Sequence, residues 1–234
     1  MSLMVGSARI DENGKISGGK PGDQTGNEVS TQPYYVHSKG WICMRPKSVA
    51  VANAIAEAMM QACKNSNIGY CQGHRTTVIE QLRKSGSLAK ISAKTEADCS
   101  SLVRACCIQA GFDPGNFNTS SEVSALKASK QFMEPITVTS GTKLYNGDIL
   151  VTKTKGHTVV VTSGNPRQAV SYYPKYKGAS GSIVTALAAV GEKDTSKNHR
   201  AKIAAANGIK NYAYTAAQNL EMVNLLKKGK LIKA

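Results

Sequence analysis

Two residues far apart in the sequence have the types needed for cysteine-dependent acyl transfer. Cys99 lies in Asp98-Cys99-Ser100-Ser101, where a helical pattern begins, and His157 opens a run of β-branched residues. A thiol at a helix N-terminus faces unpaired backbone N–H groups, which favour the thiolate and can also bind an oxyanion. An imidazole at the end of a strand can be held rigidly and take the thiol proton. The pair therefore predicts a nucleophile and its general base.

Each of these residues also has a plain structural interpretation. Most single cysteines are buried core residues, and a lone histidine is usually a surface residue. The polar neighbours of Cys99 are typical of an exposed helix start, which favours the role of nucleophile. We therefore expect Cys99 and His157 to lie together at a cleft.

The other cysteines and histidines show no clear metal or disulfide pattern. Cys71 and His74 have the spacing Cys-x-x-His, but no second pair of ligands accompanies them, so no metal site is predicted. His37 and His199 have no supporting context. The spacing of the six cysteines is not that of a disulfide framework, which indicates folding in a reducing compartment. The cysteines stand at positions 43, 63, 71, 99, 106 and 107.

The pattern of predicted helices and strands indicates an α+β domain. Apolar residues recur every fourth position over 47–64, and a second helix is predicted over 101–110. β-branched segments separated by Gly-containing turns follow at 136–139, 148–153 and 157–162. Helices first and an antiparallel sheet after them are typical of the α+β class.

The chain is strongly basic, with 30 Lys and Arg against 15 Asp and Glu and a net charge of +15. Such a charge predicts a polyanionic partner, either nucleic acid or the teichoic acids and phosphates of a bacterial wall. The sequence contains no nucleic-acid-binding motif, so no nucleic acid is expected. No apolar run reaches about 18 residues, and the N-terminus lacks the apolar segment of a secretion signal.

The composition changes towards the C-terminus. Residues 171–234 contain eleven Lys and Arg against three Asp and Glu, a net charge of +8. Three short helical patterns follow one another at 182–190, 198–206 and 215–228. The predicted parts of the chain are a domain over residues 1–168, a linker over 169–177 and a helical module over 178–234.

The order of the motifs resembles a known family. Asp-Cys-Ser-Ser-Leu-Val at 98–103, Asn-Gly-Asp-Ile-Leu-Val at 146–151 and Gly-His-Thr-Val-Val-Val at 156–161 resemble papain-like cell-wall amidohydrolases of the NlpC and CHAP type, closest to the phage endolysin branch. The resemblance covers residues 22–164. It implies a papain-like domain of N-terminal helices packed on an antiparallel sheet, in which Cys99 attacks a peptidoglycan amide.

The resemblance also implies roles for neighbouring residues. His157 is the base, and Tyr70 matches the family's tyrosine near the oxyanion, with an ordinary half-buried aromatic as the alternative. Like Tyr70, Gln72 and Ser100 are expected to face the substrate or the oxyanion. Family members place the residue that orients the histidine on the strand after the histidine strand, where Asn165 is the best polar candidate. A dyad completed by a backbone carbonyl or water stays open, and no metal or organic cofactor is implied.

The C-terminal module resembles small cell-wall-binding modules of lysins. Its aromatic residues could stack on sugar faces while its lysines approach anionic wall polymers. A solvated basic surface with the tyrosines in a small core is the alternative interpretation. The tyrosines concerned are Tyr173, Tyr176, Tyr212 and Tyr214.

Together these expectations describe a peptidoglycan hydrolase acting through a thioester acyl-enzyme, either an N-acetylmuramoyl-L-alanine amidase or a stem-peptide endopeptidase. Without a signal peptide, it would stay in the host cytoplasm until a holin-type release brings it to the cell wall. The alternatives are a non-catalytic basic protein that binds cell wall or nucleic acid, and a transferase that resolves the thioester with an amine. Replacing Cys99 separates the catalytic from the non-catalytic interpretation.

Overall fold

In the computed structural model, which describes residues 2–167 and 171–234, an antiparallel sheet of six strands organises the first of two units. The units are Met1–Gln168 and Ala169–Ala234. The predicted boundary between residues 168 and 169 lies outside the described residues. Each unit has its own hydrophobic core.

Eight strands form two sheets in the first unit. The six-stranded sheet has the order β2-β1-β8-β7-β3-β6, and β4 pairs with β5 in a separate parallel pair. The N-terminal strand therefore lies in the interior of the large sheet, directly beside β8. The strands are β1 Met4–Ala8, β2 Val29–Pro33, β3 Trp41–Met44, β4 Ile68–Tyr70, β5 Thr95–Ala97, β6 Ile136–Thr137, β7 Ile149–Thr152 and β8 Thr158–Ser163.

Among the described residues, four α-helices belong to the first unit and three to the second. A short 3-10 turn, Leu88–Lys90, lies between α2 and α3. The helices are α1 Val49–Lys64, α2 Thr77–Ser85, α3 Cys99–Gln109, α4 Glu122–Ala128, α5 Ile183–Ala189, α6 Lys197–Ala206 and α7 Ala216–Lys227.

The long helix α1 forms where the fourfold apolar spacing predicts it. Ser48 caps it by accepting a hydrogen bond from Val51 N–H at 3.4 Å, and Ile55 and Met59 bury one face. The turn before β7 approaches α1 closely at Gly147, where a Cβ would stand 2.0 Å from the carbonyl oxygen of Ala52. Only glycine fits there, and its φ of 78° is the left-handed conformation that glycine tolerates.

The large sheet is covered on both faces. Along β8, Val160 packs into the core shared with the helices, while Val159 and Val161 pack into a second cluster on the opposite face. This alternation follows from the twofold period of a strand. Trp41 lies in the second cluster and pairs with Thr152 of β7, whose hydroxyl accepts the N–H of His157.

The α+β expectation agrees with a structure that combines helices with an antiparallel sheet. The expected order of elements is wrong, because three strands, β1 to β3, precede the first helix. All three are short, and β1 and β2 contain small or polar residues, so the local pattern does not predict those two strands. Within residues 2–167 and 171–234, no helix is long and apolar enough to cross a membrane.

The second unit is a bundle of three short helices. A hydroxyl residue caps the start of each helix: Ser182 for α5, Ser196 for α6 and Thr215 for α7. Apolar residues from all three helices form its core. Tyr173 and Tyr176, assigned to a linker by the sequence, also pack in this core.

Candidate active site around Cys99 and His157

The start of α3 holds Cys99 at the first helical position. Asp98 caps the helix, since its Oδ1 accepts the N–H of Ser101 at 2.7 Å. In return, the Ser101 hydroxyl accepts the N–H of Asp98 at 2.9 Å. The first backbone bond of the helix runs from Leu102 N–H to the Asp98 carbonyl at 3.0 Å. The N–H groups of Cys99 and Ser100 precede this bond, so they are left for a ligand.

A single arginine secures this cap from outside the helix. Arg75 Nε donates to Asp98 Oδ2 at 2.6 Å, and Arg75 Nη2 donates to the carbonyl of Phe117 at 2.6 Å. Its Nη1 reaches Asn116 Oδ1 at 3.0 Å. Arg75 therefore joins the cap of α3 to the loop that leads into α4.

The Cys99 thiol is nearly enclosed, with a residue exposure of 7 %. The pKa of Cys99 is raised to about 12, mainly by burial and then by the nearby carboxyl groups of Asp98 and Glu122, against the opposing effects of the Thr158 backbone N–H and the Ser100 hydroxyl. The expectation of an exposed helix start is therefore wrong. The expected thiolate is also corrected, because desolvation outweighs the helix N-terminus and leaves a neutral thiol at pH 7.

His157 is fixed on both its backbone and its side chain. Its N–H donates to Thr152 Oγ1 at 3.0 Å, and its carbonyl accepts the N–H of Thr152 at 3.0 Å. Its Nε2 lies 3.3 Å from Ser7 Oγ. The pKa of His157 is lowered to about 4, mainly by burial, with smaller contributions from the neighbouring His37 and Arg9. The imidazole is therefore neutral at pH 7.

The structure brings Cys99 and His157 to the same corner without a hydrogen bond between their side chains. Thr158 directly follows His157, and its backbone N–H lies close enough to the Cys99 sulfur to lower the pKa of the thiol. Because Ser7 occupies Nε2, Nδ1 is the nitrogen of His157 that is left for the thiol. Both groups are neutral in the resting protein, so the proton moves from the thiol to the imidazole only during the reaction.

Tyr70 and Gln72 lie at the other side of the thiol. Gln72 Nε2 donates to the Tyr70 hydroxyl oxygen at 3.1 Å, which leaves the Tyr70 O–H proton for another acceptor. Burial raises the pKa of Tyr70 to about 12; the bond from Gln72 lowers it and the charge of a Cys99 thiolate would raise it. Tyr70 is fully buried rather than half-buried, and its hydroxyl lies within electrostatic reach of Cys99.

Ser100 is buried, and its hydroxyl lies 3.9 Å from the Cys99 sulfur. Its side chain thus faces the thiol. Asp148 is fully buried, forms an ion pair with Arg45 at 2.8 Å and accepts the N–H of Tyr145 at 2.9 Å. These contacts hold the turn before β7, so Asp148 has an architectural role.

Asn165 lies elsewhere than the sequence analysis expected. Its Nδ2 donates to the carbonyl of Leu144 at 3.1 Å, and in the described part of the chain it makes no hydrogen bond to His157. The reason lies in the sheet: no described strand follows β8 in the first unit, and the strand beside β8 is β1. Ser7, on β1, is therefore the residue at the imidazole, and the sequence analysis missed it.

Glu122 is a second residue that the sequence analysis missed. It is fully buried at the start of α4, and its Oε1 accepts the hydroxyl of Thr158 at 2.7 Å. Burial raises the pKa of Glu122 well above its ordinary value, so the folded chain favours the neutral form of this carboxyl. Its signal in the sequence is weak, because a Glu in the first turn of a helix is common on surfaces.

A cluster outside this corner contains Cys71, His74 and Glu96. His74 Nδ1 lies 2.9 Å from Glu96 Oε2 and 3.9 Å from the Cys71 sulfur. Burial raises the pKa of the Cys71 thiol, but hydrogen bonds from Ser17 and from the backbone of residues 18, 74 and 73 outweigh it and lower the pKa. Glu96 is thus a third ligand-type residue beside Cys71 and His74, which the spacing in the sequence does not show.

Two of the four tyrosines proposed to contact the cell wall are corrected by the structure. Tyr173 and Tyr176 are 3 % and 7 % exposed, and neither ring offers a free face to a sugar. Their rings complete the core of the small bundle, as the alternative interpretation expected. Tyr212 is half-buried, with its hydroxyl bonded to Asn219, and Tyr214 is exposed beside it.

Comparison with known proteins gives one match. The model of a family described as an endolysin-like domain matches residues 5–168. This range begins in β1 and includes Ser7, Cys99 and His157. Neither a curated protein nor a solved structure matches the chain.

Proposed function

Since the chain belongs to the endolysin-like domain family, whose description points to lysis of the cell wall, we propose that it hydrolyses an amide bond of bacterial peptidoglycan. Cys99 is the nucleophile and His157 the general base, in a papain-like domain of the NlpC and CHAP type. The observation that carries the proposal is the position of Cys99 at the first residue of a capped helix, near the backbone N–H of the residue that follows His157.

In the first step, the Cys99 sulfur attacks the carbonyl carbon of the amide while its proton passes to Nδ1 of His157. Because the thiol and the imidazole are both neutral at rest, attack and proton transfer are coupled. The C–N bond then breaks, and the proton on His157 moves to the leaving nitrogen. This leaves a thioester on Cys99 and releases the amine.

In the second step, His157 removes a proton from water, which attacks the thioester carbon. The C–S bond breaks, the thiol regains a proton, and a carboxylic acid leaves. A transferase would use an amine in place of this water. Release of free carboxyl groups in water, with no added amine, supports the hydrolase.

The oxyanion of each tetrahedral intermediate needs donors close to the sulfur. The N–H groups of Cys99 and Ser100 are the first two of α3 and are free of helical acceptors. The Tyr70 hydroxyl is a further donor, because Gln72 already donates to its oxygen. These groups act on a charge that exists only during the reaction, which is how they lower the barrier.

Ser7 takes the role for which the sequence analysis proposed Asn165. With Nε2–H donating to Ser7 Oγ, Nδ1 carries the lone pair that accepts the thiol proton. A hydroxyl can donate or accept, so Ser7 holds the orientation of the ring in either tautomer, and it stabilises a charged imidazolium only weakly. Ser7 is therefore a positioning residue.

The second unit is proposed to bind the wall. Tyr214 is exposed, and Lys197 Nζ and Arg200 Cζ lie 5.6 Å and 5.7 Å from the centre of its ring. An aromatic face flanked by two cations suits a sugar polymer that carries phosphate or carboxylate groups. The net charge of +8 over residues 171–234 attracts such polymers at a distance.

The test replaces Cys99 by Ala and follows the clearing of a suspension of Gram-positive cell walls. Loss of the nucleophile is expected to lower the rate at least roughly 10³-fold while wall binding persists. Cys63→Ala is the matched control, since Cys63 is half-buried on α1 and has no role in the mechanism. If Cys99→Ala clears walls as fast as the parent, the chain is a non-catalytic wall-binding protein and the proposal is wrong.

The fragments released from the cell wall identify which amide bond is cut. Mass spectrometry of digested walls separates the two reactions: free stem peptides identify an N-acetylmuramoyl-L-alanine amidase, and shortened stems on intact sugar chains identify an endopeptidase. As part of the same proposal, the protein stays in the host cytoplasm until it is released and then reaches the cell wall. This is tested by fractionating cells that express the chain with and without a holin.

A further inference from the structure

A second cluster of reactive side chains lies where the short parallel pair β4-β5 ends. The pairing places Gly69 opposite Glu96, and Cys71 extends it by donating its N–H to the carbonyl of Ala97 at 3.0 Å. The turn after Cys71 then returns His74 over Glu96. The ligand atoms of Cys71, His74 and Glu96 all lie within 4.8 Å of one another.

These distances are close to those of a tetrahedral metal site. With bonds of about 2.0–2.3 Å from zinc to sulfur, nitrogen and oxygen, neighbouring ligand atoms lie roughly 3.4–3.6 Å apart. Here the Cys71 sulfur is 3.9 Å from His74 Nδ1, and His74 Nδ1 is 2.9 Å from Glu96 Oε2.

Glu96 gives an independent reason to expect a cation. It is 3 % exposed, and in the described part of the chain no Lys or Arg forms an ion pair with it. Its Oε2 contacts His74, while its Oε1 is buried with no hydrogen-bond partner. A buried carboxylate with an unpaired oxygen is costly, and a bound cation removes that cost.

The burial of Cys71 and the exposure of His74 are those expected of metal ligands, and Cys71 is not placed to act as a second nucleophile. Cys71 is 1 % exposed and receives hydrogen bonds in its loop, so a substrate carbonyl cannot reach its sulfur. The His74 side chain is 70 % exposed, which leaves a path for an ion and a position for water. Three protein ligands with one open position is a common arrangement for zinc.

We propose that Cys71, His74 and Glu96 bind one divalent cation of the zinc class, with water as the fourth ligand. Thiolate and imidazole ligands favour zinc over magnesium or calcium, which prefer oxygen. The ion fixes the turn of residues 71–74, which carries Gln72, whose amide donates to the Tyr70 hydroxyl. The site stabilises this turn and takes no part in the bond-breaking step, so it does not depend on the proposed hydrolysis.

The test uses the full chain stripped of metal with a chelator, and Co²⁺ as the probe. One equivalent of Co²⁺ is expected to produce a thiolate-to-cobalt charge-transfer band and the intense visible bands of a tetrahedral site, and Zn²⁺ is expected to displace it. Cys71→Ser is expected to abolish the charge-transfer band. His74→Asn and Glu96→Gln are each expected to weaken binding roughly tenfold or more. Cys99→Ser and Cys63→Ser are the controls and keep the full signal.

His74→Asn is the decisive variant, because the side chain is exposed and its replacement leaves the core intact. Circular dichroism shows whether the two buried variants fold; where one does not, His74→Asn alone decides. A signal that survives His74→Asn but disappears in Cys99→Ser would place the metal at the other thiol and overturn the proposal. Absence of the charge-transfer band from the parent chain at Co²⁺ concentrations up to about 1 mM, which is far weaker than zinc-class binding, would overturn it as well.

Discussion

The hydroxyl of Ser7 lies 3.3 Å from Nε2 of His157, although 150 positions of sequence separate the two residues. The contact exists because β1 pairs antiparallel with β8 and places Gly6 opposite Val160. One more residue along β1 puts Ser7 beside the end of β8, where His157 precedes the strand. The N-terminal strand thus contributes a side chain to the corner that also contains Cys99.

The Ser7 contact predicts a defect in turnover rather than in binding. Ser7→Ala removes one neutral hydrogen bond, worth about 1 kcal/mol, and is expected to lower kcat roughly fivefold with KM unchanged. The reason is that an imidazole without this hydrogen bond spends part of its time in the wrong rotamer. Initial rates on solubilised wall fragments measure both constants.

Ser7→Thr is the matched control for that variant, because it retains the hydroxyl and suits a strand. It is expected to restore kcat. Thermal unfolding of both variants separates a catalytic defect from a folding defect. Equal losses in Ser7→Ala and Ser7→Thr would contradict a positioning role for the hydroxyl.

The lowered pKa of His157 predicts that the enzyme stays active to an unusually low pH. The base must be neutral to take the thiol proton, and its pKa is lowered by burial from 6.5 to about 4. The acid limb of kcat/KM is therefore expected to have its midpoint near pH 4. Arg9→Gln removes a positive charge that lowers this pKa, so the limb should move to higher pH. A limb near pH 6.5 that Arg9→Gln does not move would disagree with the buried imidazole.

The same shift has a consequence for stability. Between pH 6.5 and pH 4 the unfolded chain protonates residue 157 while the folded chain does not, so the folded state loses stability as the pH falls through this range. His157→Gln removes that dependence. Chemical unfolding of the parent and His157→Gln at pH 7 and pH 4 measures it, and the parent is expected to lose more stability than the variant.

Local patterns predict the helix of Cys99 and the strand of His157, but not the residues that surround them. The capping Asp98 and the β-branched run after His157 are signals within a few positions of sequence. Ser7 lies in the strand Met-Val-Gly-Ser-Ala, which has no clear alternation, and only pairing with β8 and β2 places it. Asn165 was proposed on the assumption that the partner of the histidine follows it in the chain.

The metal-type cluster illustrates the same limit. The spacing of Cys71 and His74 is visible in the sequence, whereas Glu96 comes from a three-residue strand more than twenty positions later. The parallel pairing of two such short strands has no local signal. The burial of Tyr173 is similar, since a small bundle needs large side chains to fill its core and takes them from the segment before its first helix.

Glu122 predicts a dependence of stability on pH in the opposite direction to that of His157. Burial raises the pKa of its carboxyl, so above about pH 4.5 the unfolded chain releases a proton that the folded chain keeps. Stability is therefore lost as the pH rises. Glu122→Gln keeps an oxygen for the Thr158 hydroxyl and cannot ionise, so its Tm should exceed that of the parent by more at pH 8 than at pH 4.

Glu57→Gln is the control for this measurement, because Glu57 is exposed on α1. It is expected to change Tm equally at both pH values. A Glu122→Gln variant with the same Tm difference at pH 4 and pH 8 would show that the buried carboxyl does not resist ionisation.

Tyr214 predicts the wall-binding surface of the second unit. Replacing it by Ala removes the ring that lies near Lys197 and Arg200, and is expected to weaken sedimentation with purified walls roughly fivefold, equivalent to about 1 kcal/mol. Tyr172→Ala is the control, since Tyr172 is also exposed but has no cation over its ring among the described residues. Binding of the parent should decrease with added salt, because the two cations act on anionic polymers through a screened field. Equal binding by Tyr214→Ala and the parent at low salt would assign wall attraction to the diffuse charge of the module rather than to this ring.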